Sequence, residues 1–210
     1  PQGHRRITPE ELQYIEGGQN DEPSEASIPT RHAPLREALA GRELRILMLA
    51  RGLTDPVWLF LAVWIPSYFA AERGFNLKDI ALFTWIPFVA ADAGSLFGGW
   101  LSSHFVSRGF RTVNARKMAM AVSAAIMPLA ILTVHVQSWQ VALFCIAAMM
   151  FAHQSWSASM LTLPADLFPK RIVASCYGLP AMVGIMAGAL TQWYVGGVVE
   201  SRWGYWPVFV

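Results

Sequence analysis

Five successive apolar stretches, each long enough to cross a bilayer, constrain this chain more than any other feature of its sequence. They occupy residues 45–71, 78–105, 112–134, 138–164 and 172–199, and a sixth begins near Trp203. About 20 helical residues at 1.5 Å each cover a ~30 Å hydrocarbon core. None of the stretches carries the charged face that a helix on a water-soluble domain presents to solvent. The expected fold is therefore all-α, a polytopic transmembrane helix bundle rather than a bundle of buried soluble helices. Several stretches exceed the minimum length, and Pro56, Pro66, Pro87, Pro128 and Pro180 are placed to bend them.

The charges divide the chain in two. Of its 16 basic and 14 acidic residues, 14 lie in residues 1–45. Residues 1–43 read as a cytoplasmic linker and 44–210 as the transmembrane bundle. In the linker, Thr8-Pro9-Glu10-Glu11 has a capping threonine, proline at the first helical position and glutamate three residues after the cap, which predicts a short helix to about Gly17. Gln19 to Pro34 is too polar to offset its ordering entropy. A net charge of +2 with no basic cluster in the body excludes nucleic acid as a partner. Cys145 and Cys176 sit in apolar runs and give neither a disulfide framework nor metal-ligand spacing, so no metal or cofactor is expected. The start at Pro1 without a leader and the end at Val210 within an apolar run read as a fragment cut at both ends, its last helix truncated.

Basic residues near the span ends set the orientation. With the linker inside, inner segments carry Arg31, Arg36, Arg42, Arg45, Arg108, Arg111, Arg116, Lys117, Lys170 and Arg171, whereas outer loops carry only Arg73, Lys78 and Arg202. The loops around Glu72 to Asn76, Val136 to Ser138 and Ser201 to Arg202 then face out. Trp139, Trp203 and Trp206 stand at outer ends as interfacial anchors.

Four blocks make the sequence more specific. The first is Thr54-Asp55-Pro56-Val57-Trp58 with Phe60 and Trp64-Ile65-Pro66-Ser67-Tyr68. The second is Trp85-Ile86-Pro87-Phe88, Ala91-Asp92-Ala93-Gly94 and Gly98-Gly99-Trp100-Leu101-Ser102. Then come Arg108-Gly109 with Ala115-Arg116-Lys117, and His153-Gln154-Ser155-Trp156-Ser157-Ala158 through Asp166-Leu167-Phe168-Pro169-Lys170-Arg171. In this order they resemble the anion:cation symporter family of the major facilitator superfamily, with hexuronate transporters as the nearest branch. The resemblance covers essentially the whole chain. It implies the C-terminal six-helix half of a twelve-helix major facilitator fold in a cell membrane, that of a bacterial inner membrane. It further implies proton-coupled symport of a small organic anion, a hexuronate or related sugar acid, by alternating access, together with an N-terminal six-helix half. Another organic anion or a phosphate-type substrate is the alternative within the family. The chain departs from the family pattern at Ser103-His104, where an aspartate usually follows the serine, at Ser159, where asparagine is frequent, and at Ala181, where some members are polar.

Polar residues within the spans supply the candidate site, because an ionisable group at mid-depth must face protein or water. Asp92, among small residues in the second span, reads either as a proton carrier or as a hydrogen-bonded link to a neighbouring helix. Arg51 and Asp55, four apart on one face, read as a local ion pair or as part of a cytoplasmic gate. His153, Trp156, Ser157 and Met160 share one face of the fourth span, with Gln154 beside them. Such a face suits a sugar ring, an aromatic plane meeting its C–H side and polar groups its rim; packing by small polar residues is the other reading. Trp64 and Tyr68 form a similar pair in the first span, with Pro66 between them freeing a carbonyl.

Between Met118 and Leu132 the third span offers only Ser123 as a polar side chain, and it is expected at the periphery. Gly184 and Gly188, like Gly94 and Gly98, predict close helix approach. Asp166 to Arg171 reads as turn chemistry, with Lys170 and Arg171 meeting the helix dipole or Asp166, or as part of a gate through Asp166 and Arg171. No Lys or Arg lies at mid-depth, so the fixed cation that an anionic substrate needs is expected from the N-terminal half. An enzyme using His153 with Asp92 or Asp166 lacks any supporting phosphate, nucleophile or metal motif. A non-transporting interaction module is the remaining alternative.

Overall fold

The computed structural model describes residues 41–199 and Thr8. The expected linker helix, the sixth stretch and the loop at Ser201 lie outside the described residues. Helix α1, Arg42–Arg73, stops where Gly74 takes the left-handed conformation at φ 68°, and the Phe75 N–H then donates to the Phe69 carbonyl at 3.1 Å. That is the geometry glycine adopts past a helix end without a Cβ penalty. Asn76 caps α2, Leu77–Phe83, by accepting from the Lys78 and Asp79 amides, while its own N–H donates to the Asp79 carboxylate at 3.2 Å. Helix α3 is Ile86–Ser107, α4 is Thr112–Ala124, and a 3-10 turn at Met127–Ile131 leads into α5, Leu132–His135. Helices α6, Trp139–Leu167, and α7, Lys170–Val199, complete the described chain. Among the described residues every regular element is helical.

Two of the expected spans are not single helices. The second is interrupted at Thr84–Trp85 because Pro87, at the start of α3, has no N–H to continue the α2 ladder. Its two parts still make an apolar run, Leu77–Ser107, long enough to cross a membrane. The third is broken more deeply. Near Pro128 the bonds shorten to three-residue steps, Ile126 N–H to Ser123 carbonyl and Leu129 N–H to Ile126 carbonyl, both at 3.1 Å. Among the described residues, four runs are therefore long and apolar enough to span: Arg42–Arg73, Leu77–Ser107, Trp139–Leu167 and Ile172–Val199. Pro56 and Pro66 lie inside α1, Pro164 inside α6 and Pro180 inside α7.

Backbone proximity decides which helices pair. A Cβ at Gly94 or Gly98 of α3 would overlap the main chain of Phe151 or Ser155 in α6. A Cβ at Gly184 or Gly188 of α7 would overlap Asp55 or Leu59 in α1. The glycine faces thus hold α3 on α6 and α1 on α7, the close approach expected where lipid supplies no hydrophobic drive between helices. Helix α4 lies on α6 through Ala115, Ala119 and Ser123, whose hydroxyl is 2.7 Å from that of Ser155; Met118 and Val122 face outward, as expected of a peripheral element.

The two assemblies, α1 with α7 and α3 with α4 and α6, meet at an apolar core. Phe60, Leu61, Ile65 and Phe69 of α1 contact Ala91, Leu143, Ile146, Met150 and Val195 there. Helix α6 is the most enclosed element, with 50% of its apolar window buried against 17% to 22% in the other three spans. Trp139, expected as an interfacial anchor, packs among Phe75 and Phe83 at ring-centre distances of 5.3 and 4.9 Å. Across the α1–α7 contact the Trp64 indole N–H donates to the Gln192 carboxamide oxygen.

Two stability predictions follow from this packing. Gly94→Ala and Gly98→Ala each cost about 1–3 kcal/mol because helix backbones must separate, while Gly99→Ala, with open space at its Cβ, leaves the melting temperature of the purified protein unchanged or higher. Trp64→Phe strands the Gln192 carboxamide and costs about 1–3 kcal/mol. Adding Gln192→Leu recovers most of that loss, which a double-mutant cycle of thermal unfolding measures.

Candidate functional site

Arg51 and Asp55 form the expected ion pair, Nη2 to Oδ2 at 2.9 Å, with only 17% and 16% of their side chains exposed. The spacing within α1 brings them together, but α7 fixes where they sit. Asp55 occupies the gap left by the missing side chain of Gly184. The Arg51 Nε is buried without a hydrogen-bond partner.

One turn along α1 the imidazole of His153 arrives from α6. Its Nε2 lies 3.0 Å from the Thr54 carbonyl, which can only accept, so Nε2 carries the proton. The ring stacks on Trp58 at 5.7 Å and 18°. Nδ1 is buried and unpartnered. His153 is 4% exposed, and Trp64 is half-buried against α7, so neither faces outward from the bundle.

The rest of the expected α6 stripe divides. Trp156 and Met160 are enclosed with Leu47 and Leu163, against Val113 and Met120 of α4. Gln154 and Ser157 are half-buried, Ser155 is bonded to Ser123, and the buried Ser159 hydroxyl has no partner as donor or acceptor. A single aromatic and polar face along α6 is therefore not what forms: the large side chains are drawn into the contacts with α1 and α4.

Trp64 and Tyr68 also diverge. Tyr68 is buried and donates to the Thr133 carbonyl at 3.2 Å, while Arg73 donates to the Tyr68 oxygen at 2.8 and 3.1 Å and to the carbonyls of Thr133 and Gln137. This clip ties the end of α1 to the segment around α5, so Tyr68 is a fastening at one end of the bundle.

Asp92 does not link to a neighbouring helix among the described residues. It is exposed on α3, in line with the outward-facing Val89, Leu96 and Trp100, and makes no hydrogen bond or ion pair among the described residues. Facing lipid would cost such a carboxylate about 2.5–3.5 kcal/mol, so this face of α3 meets protein or water. Asp166 pairs with Arg116 of α4, 50 residues away. The Arg171 side chain lies outside the described residues. His104, at the departure after Ser103, stacks on Trp100 at 5.4 Å.

Between α1, α6 and α7 lies a cavity of about 340 Å³, toward the end where α1 begins and α6 ends. Leu47 and Arg51 line it from α1, Met160 and Pro164 from α6, and Cys176, Tyr177 and Pro180 from α7. Its size falls within the ~300–1,000 Å³ range of small-molecule sites. The two prolines remove the N–H groups that would bond the carbonyls of Met160 and Cys176. Sequence reasoning missed this cavity, and it missed Trp58, Gln192 and Pro164 as contributors. A proline at the expected end of the fourth stretch was the available sign for Pro164, three residues before the helix ends at Leu167; no local pattern marks the other two.

Comparison with known proteins agrees with this architecture. Residues 8–209 match the Major Facilitator Superfamily. The chain is 32% identical over 212 residues to the hexuronate transporter of Escherichia coli (strain K12), covering 100% of this chain and 48% of that protein. It is 30% identical over 129 residues to the galacturonate transporter of Dickeya chrysanthemi, covering 60% of this chain and 36% of the other. Against the D-galactonate transporter of Escherichia coli O6:H1 it is 24% identical over 216 residues, 100% of this chain and 50% of the relative. The chain spans about half the length of the curated relatives that it matches from end to end. With its multi-pass helical bundle and a family match over nearly its whole length, the chain belongs to the Major Facilitator Superfamily.

Proposed function

We propose that this sequence is the C-terminal half of a secondary transporter that moves a small organic anion, a hexuronate or related sugar acid, together with protons by alternating access. The observation that carries the reading is the cavity at the seam of two helix assemblies, in a chain whose end-to-end relatives include transporters named for hexuronate and galactonate. A polyhydroxylated substrate needs acceptors as well as an apolar wall, and the proline-released carbonyls at Met160 and Cys176 lie in residues of that wall.

His153, braced by Trp58 and Thr54, and the Trp64–Gln192 pair set the mutual position of the helices around the seam; Gln154, Trp156 and Ser157 remain candidate substrate contacts on α6. Arg51 with Asp55 within α1, and Arg116 with Asp166 between α4 and α6, lie toward the basic end and are suited to gating there. Asp92 faces the N-terminal half or the water path, and the proton-coupling carboxylates belong to that half. The excess of basic residues on the inner segments supports a cytoplasmic linker, and the bacterial relatives support an inner membrane.

The test is uptake of labelled glucuronate by a full-length protein carrying this sequence, reconstituted in vesicles. An inward proton gradient accelerates uptake, and unlabelled galacturonate competes with it. Failure to take up any sugar acid under a gradient overturns the reading; competition by a simpler organic anion or by phosphate alone moves it to the alternative substrate class.

A further inference from the structure

The wall of the cavity is mostly apolar, and charge enters it at one place. Among the described residues that line it, Arg51 is the only one with a full charge. Its counter-ion stands elsewhere: Asp55 is not part of the wall, because its carboxylate fills the space over Gly184 between α1 and α7. The ion pair therefore presents its positive end to the cavity. A guanidinium has five N–H donors in a planar fork. Asp55 engages Nη2; Nε is buried without a partner among the described residues and becomes available only as the guanidinium turns toward the cavity. A second carboxylate approaching from the cavity would meet unused donors in surroundings that screen charge poorly, the setting in which bidentate recognition is strong. Arg51 is also deep enough to matter, about 14 Å along α1 from its first residue at 1.5 Å per residue.

We propose that Arg51 seats the substrate's carboxylate in this cavity, and that Gly184 is a positioning residue that keeps Asp55 out of it. The proposal rests on the reading of the protein as a sugar-acid transporter. It differs from the expectation that the N-terminal half alone supplies the cation. Because Asp55 and the substrate would share one guanidinium, Asp55 acts as an internal competitor: it holds Arg51 in place when the cavity is empty and weakens binding when it is filled.

The test compares binding of glucuronate with binding of its neutral amide, glucuronamide, to the purified full-length protein by calorimetry. Wild type prefers the acid by at least about tenfold, the effect of one charge-assisted carboxylate contact. Arg51→Gln is made together with Asp55→Asn, so that no carboxylate is left without its cation, and the preference falls to within about twofold while amide binding is retained. Arg51→Lys keeps part of the preference as a point charge. Asp55→Asn alone, and Gly184→Ala to a smaller degree, change the preference without changing amide binding, the first upward.

Three results overturn the proposal. One is a preference that survives loss of Arg51 in protein with a wild-type melting temperature, which leaves the transporter reading intact. Another is equal weakening of acid and amide, which marks Arg51 as structural. The third is wild-type protein that binds no sugar acid, which removes the transporter reading along with the site. Should the double variant fail to fold, Arg51→Lys alone decides, since an unchanged preference there contradicts a bidentate seat.

Discussion

Close approach of helix backbones at four glycines is the contact on which the rest of the bundle depends. Lipid is as apolar as a leucine side chain, so burying leucine between membrane helices yields little and shape complementarity must hold them together. Gly94 and Gly98 lie against the main chain of α6, and Gly184 and Gly188 against side chains of α1. These are different contacts. The first pair meets atoms that cannot move without moving a helix, which makes α3 and α6 one rigid body. The second meets the ends of Asp55 and Leu59, so the α1–α7 contact also decides where a charged side chain goes.

That difference distributes the polar groups. Ser123 and Ser155 bond across the α4–α6 contact within the rigid group. Arg51 with Asp55, His153 with Thr54, and Trp64 with Gln192 lie where α1 meets α6 or α7. Of these, His153 with Thr54 crosses between the two assemblies, where the seam is otherwise side-chain packing in the apolar core, while α3 and α6 interlock through backbone along their length. Directional bonds can be exchanged for others at low cost, whereas interlocked backbones cannot. A cavity at such a seam changes shape more readily than one inside either assembly.

Much of this was legible in the sequence because it depends on local period and length. The apolar runs predict long helices, and four such runs are present among the described residues; the four-residue spacing predicts the Arg51–Asp55 pair and the small-residue spacing the glycine faces. What was not legible depends on which face of one helix meets which face of another. Asp166 finds Arg116 across 50 residues, and Trp64 finds Gln192 across 128. Neither distance leaves a trace in local pattern. The α6 stripe divides for a related reason: period shows that His153, Trp156 and Met160 share a face, but not that side chains of α1 and α4 pack on it. Asp92 was read as a link to a neighbouring helix since burial was assumed from depth in the membrane, although the structure turns it outward.

The prolines connect the seam to the cavity. Each proline inside a helix leaves a carbonyl four residues earlier without its usual N–H. Such a group in contact with hydrocarbon costs several kcal/mol, so interrupted backbone at membrane depth persists where protein or water covers it. Pro164 and Pro180 sit on two different helices, and they and the residues whose carbonyls they release, Met160 and Cys176, all line the same cavity. One proline there is accounted for as a bend. Two, on facing helices and with all four residues in one wall, make a place where backbone acceptors persist without ladder partners, and Arg51 completes it with donors. Two proline-interrupted turns and one guanidinium thus gather around an apolar floor, in residues that packing alone would not require.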